Sequence, residues 1–267
     1  MKRLAILAGR GALPQQIAVA HPKALFVHFS GLDIDLPANE TTQASYERFG
    51  ALFDGLKAAG VSDVVFGGAL IRPTLNPLNF DAKMMQLAPG FLAAMAGGDD
   101  GLLRAVITAF EDEGFSVRGA HELVDGLTAD TETLTKTPPD PQSVKDSIYG
   151  QAILEALGPL DVAQGCVVAG GVCFGIETIQ GTDEMLRFVA ATRLGHSPPR
   201  GGVFIKRSKI GQDMRIDMPA IGPDTIDAVV AAGLGGICIE AGRVLMLDKT
   251  TLIERAEEMG ITIWATP

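Results

Sequence analysis

Short apolar runs alternate with helical patterns in the first half of the chain. Residues 4–8 form an apolar run that predicts a buried strand, and residues 13–20 follow with the spacing of an amphipathic helix. The same alternation predicts strands over 24–29, 63–66 and 116–120, and helices over 46–59 and 104–113. Strands that alternate with helices form βαβ units, so this half is predicted to be a Rossmann-like domain with a mainly parallel sheet.

The second half repeats the α/β pattern after a proline-rich segment. Residues 138, 139 and 141 are all proline, which interrupts regular structure and predicts a linker over 135–142. The expected division is therefore a domain over 1–134 and a mixed α/β domain over 143–267. Within the second domain the pattern predicts helices over 143–157, 184–193, 224–232 and 251–259, and strands over 166–172, 203–206, 214–218, 236–240, 244–247 and 261–265.

Composition and charge restrict the class of protein. The chain has 267 residues, of which 47% are apolar and 20% charged, and a formal net charge of −10. This balance excludes a disordered chain and argues against nucleic-acid binding, which depends on neutralising phosphates. No apolar run approaches the roughly 18 residues of a membrane span, so we expect a cytoplasmic protein. Cys166, Cys173 and Cys238 lack zinc-ligand spacing and are expected to be core thiols.

A glycine-containing turn follows the first predicted strand. Gly9 and Gly11 precede a helix whose first turn contains Pro14. Two glycines there allow backbone N–H groups to approach a phosphate at the helix N-terminus, although the same turn could simply be tight. The dinucleotide fingerprint needs glycine at position 14, so the proline argues against NAD.

Two further segments of this half offer polar candidates. Asp99 and Asp100 precede a predicted helix, where one carboxylate is a natural N-cap and two could also hold a ribose or a metal-bound water. Arg72 closes a glycine-bearing stretch and is either a phosphate ligand or a solvated side chain. The methionine-rich residues 84–95 suit a core, an acyl chain or a membrane edge.

The densest candidate site spans residues 206–225. If 213–217 is extended, Asp213, Arg215 and Asp217 share one face of the strand, and such carboxylates can hold Mg²⁺ together with substrate phosphates. Lys206 would supply a cation for those phosphates, and Asp224 and Thr225 would begin a helix after a Gly-Pro turn. A salt-bridged, exposed strand followed by a helix cap explains the same residues.

A second polar group lies at another predicted strand–helix junction. Asp183 is a candidate cap, whereas capping does not explain Glu177. Thr182 lies between them, directly after Gly181.

Taken together, these motifs resemble one family over essentially the whole chain. It is the UDP-2,3-diacylglucosamine pyrophosphatase family of bacteria that lack the metallophosphoesterase-type enzyme for this step of lipid A synthesis. The motifs that carry the resemblance are Gly9-x-Gly11-x-x-Pro14, Gly97-x-Asp99-Asp100, Asp161-Val162-x-Gln164, Glu177-x-x-x-Gly181-Thr182-Asp183, Gln212-Asp213-x-Arg215-x-Asp217-x-Pro219 and Gly222-Pro223-Asp224-Thr225.

The resemblance implies Mg²⁺-dependent hydrolysis of UDP-2,3-diacylglucosamine to UMP and 2,3-diacylglucosamine 1-phosphate. It also implies a homodimer that contacts the inner membrane peripherally. Asp224, followed by Asp213 and Asp217, becomes the expected catalytic and Mg²⁺-binding group. The expected substrate-binding residues are Gly9, Gly11, Arg72, Asp99, Asp100, Glu177, Thr182, Asp183, Lys206, Arg215 and Thr225.

Two other classes of function remain open from the residues alone. An NAD-dependent oxidoreductase would bind NAD stoichiometrically, and Pro14 argues against it. A non-catalytic sugar-nucleotide or lipid-binding protein would bind tightly without metal-dependent turnover. Release of UMP from UDP-diacylglucosamine in the presence of Mg²⁺ separates these classes from a pyrophosphatase.

Overall fold

The structure, a computed structural model, describes residues 3–69, 74–95, 99–193 and 201–267, with the side chains of Asp99 and Asp100 left out. The chain divides into two compact units. The first consists of Met1–Asp125 with Asp213–Asp217, and the second consists of Gly126–Gln212 with Met218–Pro267. Both units are α/β, as the sequence predicts. No helix in the described residues is long and apolar enough to cross a membrane.

The first unit contains a parallel five-stranded sheet with helices, as expected for a Rossmann-like domain. Its strands are arranged in the order β3-β2-β1-β4-β5, and every pairing is parallel. The elements are β1 (Arg3–Ala8), α1 (Leu13–Ala20), β2 (Leu25–Phe29), β3 (Thr41–Ala44), α2 (Phe49–Ala58), β4 (Val61–Gly67), α3 (Ala82–Met95), α4 (Asp99–Asp112) and β5 (Ser116–Arg118). β2 lies on one side of β1 in the sheet and β4 lies on the other, so the order of the strands reverses at β1.

Two elements of this unit have no counterpart in the predicted pattern. β3 is a mostly exposed edge strand of polar composition, so it has no apolar run. Residues 84–95 lie in α3, which buries Met84 and Phe91 in the core and exposes Met85 and Leu92. The segment therefore contributes to the core and also presents an apolar surface to solvent.

The second unit contains a mixed sheet. Its strand order is β12-β10-β8-β6-β7, with β8, β10 and β12 parallel and with β6 antiparallel to both β7 and β8. A short parallel pair, β9 and β11, lies apart from it. The elements are α5 (Pro141–Leu157), β6 (Gly165–Ala169), β7 (Val172–Ile176), α6 (Thr182–Thr192), β8 (Val203–Lys206), β9 (Ala220–Ile221), α7 (Pro223–Ala231), β10 (Gly236–Glu240), β11 (Leu245–Met246), α8 (Lys249–Glu258) and β12 (Thr262–Thr266).

The proline-rich segment does not lie where the structure divides. The compact units separate between Asp125 and Gly126, so residues 135–142 belong to the second unit. Thr135 Oγ1 accepts a hydrogen bond from the backbone N–H of Ile263 at 3.1 Å. Asp140 caps α5 by accepting N–H groups from its first turn, and Pro141 occupies the first helical position. The prolines here lead into a helix, which is a position that proline favours.

A hairpin replaces the single strand predicted over 166–172. Gly170 and Gly171, both with positive φ, turn the chain between β6 and β7. Asp146 of α5 accepts hydrogen bonds from their two backbone N–H groups at 2.9 and 2.8 Å, and from the Gln142 side chain at 2.9 Å. Asp146 is only 1% exposed, so its carboxylate fixes the turn from within the protein.

We expect Asp146→Ala to destabilise the second unit by about 2–3 kcal/mol, because it removes the acceptor of two backbone donors. Chemical denaturation monitored by circular dichroism measures this loss. Glu254→Ala is the matched control, since Glu254 is an exposed carboxylate on α8. Equal midpoints for Asp146→Ala and the control would contradict the structural role of Asp146.

Candidate functional site

The carboxyl edge of the second sheet is the first candidate region. The register aligns Lys206 at the end of β8 with Ile239 of β10, and Glu240 at the end of β10 with Thr266 of β12. Open α/β sheets bind ligands at the carboxyl ends of their parallel strands. Polar residues that follow β8 and β10 are therefore placed where a ligand is expected.

Lys206 forms a buried cluster with Glu177 and Thr182. Its ammonium lies 3.0 and 2.8 Å from the two carboxylate oxygens of Glu177 and 2.6 Å from the hydroxyl of Thr182. Lys206 is 4% exposed and Glu177 is 9% exposed. An ammonium has three protons to donate, and the three hydrogen-bond contacts of Lys206 are all within this cluster. The cluster therefore joins the end of β8 to the start of α6, and a direct contact of Lys206 with substrate stays a prediction.

Glu240 organises the residues directly after Lys206. One of its carboxylate oxygens accepts the backbone N–H of Ser208 at 2.8 Å and the Ser208 hydroxyl at 2.7 Å. The other oxygen lies 3.4 Å from both Arg207 and Arg243. Arg243 also donates to the Ser208 hydroxyl at 2.8 Å. The sequence reasoning missed Glu240, although an acidic residue at the end of an apolar strand is a recognisable signal.

Lys209 continues this basic segment. Its ammonium pairs with Asp161 at 2.5 Å, and its backbone N–H donates to the side chain of Gln212 at 3.0 Å. Asp161 has a left-handed backbone with a φ of 56°. The last residue of β8 and the segment after it therefore carry three basic side chains, each held by a carboxylate: Lys206, Arg207 and Lys209.

The strand predicted over 214–218 is wrong. The backbone N–H groups of Ile216 and Asp217 both donate to the carbonyl of Asp213, so the chain forms a turn. Asp213, Arg215 and Asp217 consequently do not share one face of a strand. Ile216 packs against the core of the first unit, which explains why Asp213–Asp217 is grouped with that unit.

Asp213 and Arg215 form an ion pair within this turn. Arg215 donates Nε to one oxygen of Asp213 at 3.0 Å and Nη2 to the other at 2.7 Å, and its third contact is Glu111 at 2.6 Å. The hydrogen bonds from Arg215 hold the pKa of Asp213 below its ordinary value. Asp213 is thus an ionised carboxylate whose two oxygens are already engaged.

Asp224 lies in the first turn of α7. α7 connects the parallel neighbours β8 and β10, so its N-terminus is at the carboxyl edge of the sheet. Thr225 Oγ1 accepts the backbone N–H of Gly222 at 3.0 Å and so stabilises the start of the helix. Asp224, in contrast, is exposed and makes no hydrogen bond within the described part of the chain. An uncommitted carboxylate at this edge can bind a cation or orient water.

The Mg²⁺-binding role of Asp213, Asp217 and Asp224 stays a prediction. The residues that the structure describes contain no group of three or more His, Cys, Asp or Glu arranged to hold a metal ion. Asp213 and Asp217 belong to the first compact unit and Asp224 to the second. Mg²⁺ often binds through one or two carboxylates plus substrate phosphates, a requirement that the exposed Asp224 fits.

The glycine turn after β1 is packed against the end of β4. Gly9 donates its N–H to Gly67 at 2.7 Å, and Arg10 exchanges backbone hydrogen bonds with Ala69 at 2.8 and 2.9 Å. A Cβ on Gly9 would lie 2.5 Å from the carbonyl oxygen of Ala69, so the close approach requires glycine. This contact supports the tight-turn interpretation at Gly9.

Gly11 is different from Gly9. It has a φ of 101°, and a Cβ there would meet nothing within 4 Å. Its N–H makes no hydrogen bond within the described residues and lies just before α1, at the point where the strand order reverses. The N–H groups of Gly9 and Arg10 are already bonded, so a phosphate at this edge would accept hydrogen bonds from the backbone N–H groups of Gly11 and the residues that follow it.

The remaining predicted residues give less information. Arg72 lies outside the described residues, as do the side chains of Asp99 and Asp100. Asp183 is exposed in the first turn of α6, and the residue before that helix is Gly181, so Asp183 is not its N-cap.

Comparison with known proteins relates the whole chain to one family. The family model described as the LpxI N-terminal domain matches residues 3–127, and the LpxI C-terminal domain matches residues 130–264. UDP-2,3-diacylglucosamine pyrophosphatase LpxI of Caulobacter vibrioides is 36% identical over 273 residues, covering 98% of this chain and 97% of the relative. The resemblance seen in the motifs is confirmed, and the chain belongs to the LpxI family.

Proposed function

We propose that this protein is a hydrolase that cleaves the pyrophosphate of UDP-2,3-diacylglucosamine in lipid A biosynthesis. The products would be UMP and 2,3-diacylglucosamine 1-phosphate, and the reaction would require Mg²⁺. The observation that carries the proposal is the end-to-end similarity to the Caulobacter vibrioides pyrophosphatase, which spans 98% of this chain. A relation that covers both family domains supports a shared activity better than a match to one domain.

The carboxyl edge of the second sheet supports this chemistry. A pyrophosphate is strongly anionic, and the segments after β8 and β10 carry Arg207, Lys209 and Arg243. Asp224, at the start of α7 on this edge, is an exposed carboxylate that makes no hydrogen bond to the described part of the chain. Hydrolysis of an anhydride needs cations that neutralise the phosphates and a carboxylate that orients the attacking water.

Within the proposed reaction, Asp224 has the role of holding the attacking water and accepting its proton. Asp224 lies in the first turn of α7, where the N–H groups of the helix carry partial positive charge. Bound Mg²⁺ would neutralise charge on the pyrophosphate. The buried Lys206, Glu177 and Thr182 cluster keeps the ends of β8 and β7 in fixed positions beside this edge.

We expect EDTA to abolish UMP release after exhaustive dialysis, and Mg²⁺ to restore it. Oxygen ligands without a Cys or His cluster in the described residues favour a hard cation that is held loosely. The measurement is UMP formed from UDP-2,3-diacylglucosamine by purified protein. Full activity in EDTA would contradict the metal requirement, whereas UMP absent under every condition would contradict the pyrophosphatase itself.

The lipid part of the substrate suggests a place for α3 in the first unit. Met85 and Leu92 are 59% and 67% exposed on a helix that has a single charged side chain, Lys83. Exposed apolar surface of this kind suits acyl chains or a lipid surface. Peripheral association with the inner membrane is therefore part of the proposal, and so is the homodimeric state that the resemblance implies.

A further inference from the structure

Arg243 differs from its neighbour Arg207 in how the folded second unit holds it. Arg207 uses both terminal nitrogens inside the protein: Nη1 donates to the carbonyl of Pro267 at 2.9 Å, and Nη2 lies 3.4 Å from Glu240. Arg243 donates only Nε, to the Ser208 hydroxyl at 2.8 Å, and the same nitrogen lies 3.4 Å from Glu240. Its two terminal nitrogens make no hydrogen bond or ion pair to the described part of the chain, and its side chain is 44% exposed. The outer edge of this guanidinium is therefore open to a ligand.

Ser208 and Glu240 fix the direction of this guanidinium. Glu240 accepts both the backbone N–H of Ser208 at 2.8 Å and its hydroxyl at 2.7 Å, so the single proton of the hydroxyl is donated to the carboxylate. The serine oxygen then presents a lone pair, which accepts the Nε proton of Arg243. Because a guanidinium is planar and rigid, holding Nε also orients the two terminal nitrogens. Glu240 thus acts on Arg243 through Ser208.

The backbone of Arg243 is also fixed, at the carboxyl end of β10. The N–H of Ala241 donates to the carbonyl of Thr266 in β12 at 2.8 Å, and the N–H of Gly242 donates to the carbonyl of Ala129 at 2.8 Å. Gly242 has a φ of 69°, which turns the chain between β10 and β11. Open α/β sheets bind ligands at the carboxyl ends of their parallel strands. Arg243 therefore lies where a ligand is expected, on a backbone that is already ordered.

We propose that Arg243 binds a phosphate group of the substrate through its two terminal nitrogens, and that Ser208 and Glu240 are positioning residues that orient it. The inference rests on the proposed pyrophosphatase function and adds a phosphate-binding residue to the proposed site. Arginine suits this role because two parallel N–H groups of the guanidinium can donate to two oxygens of one phosphate. A side chain that is already oriented loses less conformational freedom when the ligand binds, so more of the interaction contributes to affinity.

A purely structural role explains the geometry of Arg243 less well. Both oxygens of Glu240 are engaged without the terminal nitrogens of Arg243, whose Nε lies 3.4 Å away, beyond the roughly 2.7–2.9 Å of a charged hydrogen bond. An arginine that served only to neutralise a carboxylate would direct a terminal nitrogen at it. Arg255 does so, with Nη2 at 2.7 and 2.8 Å from the two oxygens of Asp227.

Steady-state release of UMP from UDP-2,3-diacylglucosamine tests the arginine. Arg243→Met should lower kcat/KM by about 10- to 100-fold, the range for loss of hydrogen bonds to a charged group. Arg243→Lys should lose less, because it keeps the charge without the planar fork. Arg255→Met is the matched control, since the side chain of Arg255 is also 44% exposed but pairs with Asp227. A kcat/KM of Arg243→Met equal to that of the control would overturn the proposal.

A double-mutant cycle tests the positioning role. Ser208→Ala leaves Arg243 in place without its acceptor, and it should lower kcat/KM by about three- to tenfold. In the Arg243→Met background the same substitution should have no further effect, because Ser208 acts through the arginine. A structural role for Ser208 that is independent of Arg243 would instead give equal losses in both backgrounds, and that result would overturn the positioning role.

Calorimetric titration with UDP, which carries both phosphates of the substrate, separates this inference from the proposed function. If the wild type releases no UMP, the pyrophosphatase proposal fails and the titration decides the role of Arg243. A loss of UDP affinity of about tenfold or more in Arg243→Met would then still identify a phosphate-binding residue. Equal affinities of wild type and Arg243→Met would overturn it, as would a wild type that neither hydrolyses the substrate nor binds UDP.

Discussion

Asp224→Ala is expected to reduce turnover of UDP-2,3-diacylglucosamine by roughly 10²–10⁴-fold, the range for loss of a group that handles the proton of the attacking water. The unfolding midpoint should hardly change. Asp224 is exposed, it makes no hydrogen bond within the described residues, and Thr225 rather than Asp224 bonds the amide of Gly222 at the helix start. Asp224 contributes to stability through its favourable interaction with the helix dipole, so its loss should lower the free energy of unfolding by about 0.3–1 kcal/mol.

The measurement combines a rate, a thermal melt and a binding isotherm for the substrate. Asp227→Ala is a matched control, because Asp227 lies on the same helix and pairs with Arg255 at 2.7 Å on the surface. The control should retain turnover, as exposed ion pairs contribute little. If Asp224→Ala hydrolyses substrate at the rate of the control, Asp224 is not the catalytic carboxylate. Asp217, whose role stays a prediction, would then be the next residue to replace.

Much of the fold could be predicted because the apolar pattern is strong where elements are buried. β8 and β10 have the predicted bounds, and their residues are almost fully inaccessible apart from the half-buried Glu240 at the end of β10. α1 also matches, because its apolar positions follow one helical face. β3 shows the opposite case: an exposed edge strand leaves no apolar signal, and only its pairing with β2 defines it.

The turn at Asp213 shows why an alternating pattern can fail. The side chain of Asp213 accepts the backbone N–H of Arg215 at 3.0 Å, and the guanidinium of Arg215 folds back onto the same carboxylate. This local side-chain bond offers the backbone an alternative to a sheet ladder. Alternation of polar and apolar residues could not reveal it, since Ile216 reaches the core from a turn as well as it would from a strand.

The candidate site could be predicted only in part, because the sequence does not show which charges pair. The sequence places Lys206 and Glu177 at the ends of predicted elements and gives both as candidate substrate-binding residues. Their direct contact joins residues 29 positions apart, and it depends on the antiparallel pairing of β6 with β8. Lys206, which the sequence presents as a cation for phosphate, is therefore already paired with Glu177 in the folded protein.

Lys206→Met is expected to destabilise the second unit by roughly 3–5 kcal/mol, because it leaves Glu177 buried without its cation. The double variant Lys206→Met/Glu177→Leu should recover much of this loss, since it removes both charges and fills the site with apolar groups. Lys136→Met is the matched control: Lys136 also pairs with a glutamate, Glu257, at 2.6 Å, but its side chain is 87% exposed. Removal of that surface pair should leave the midpoint nearly unchanged.

Denaturant unfolding and UMP release, measured on the same preparations, separate the structural role of Lys206 from direct binding of substrate. If the cluster holds β8 to the start of α6, the stability of Lys206→Met falls and the double variant regains it together with activity. If Lys206 instead contacts the phosphates, Lys206→Met keeps its midpoint and loses activity, and removing Glu177 as well restores nothing. The first outcome is the one expected, because the three hydrogen-bond contacts of the ammonium are with Glu177 and Thr182.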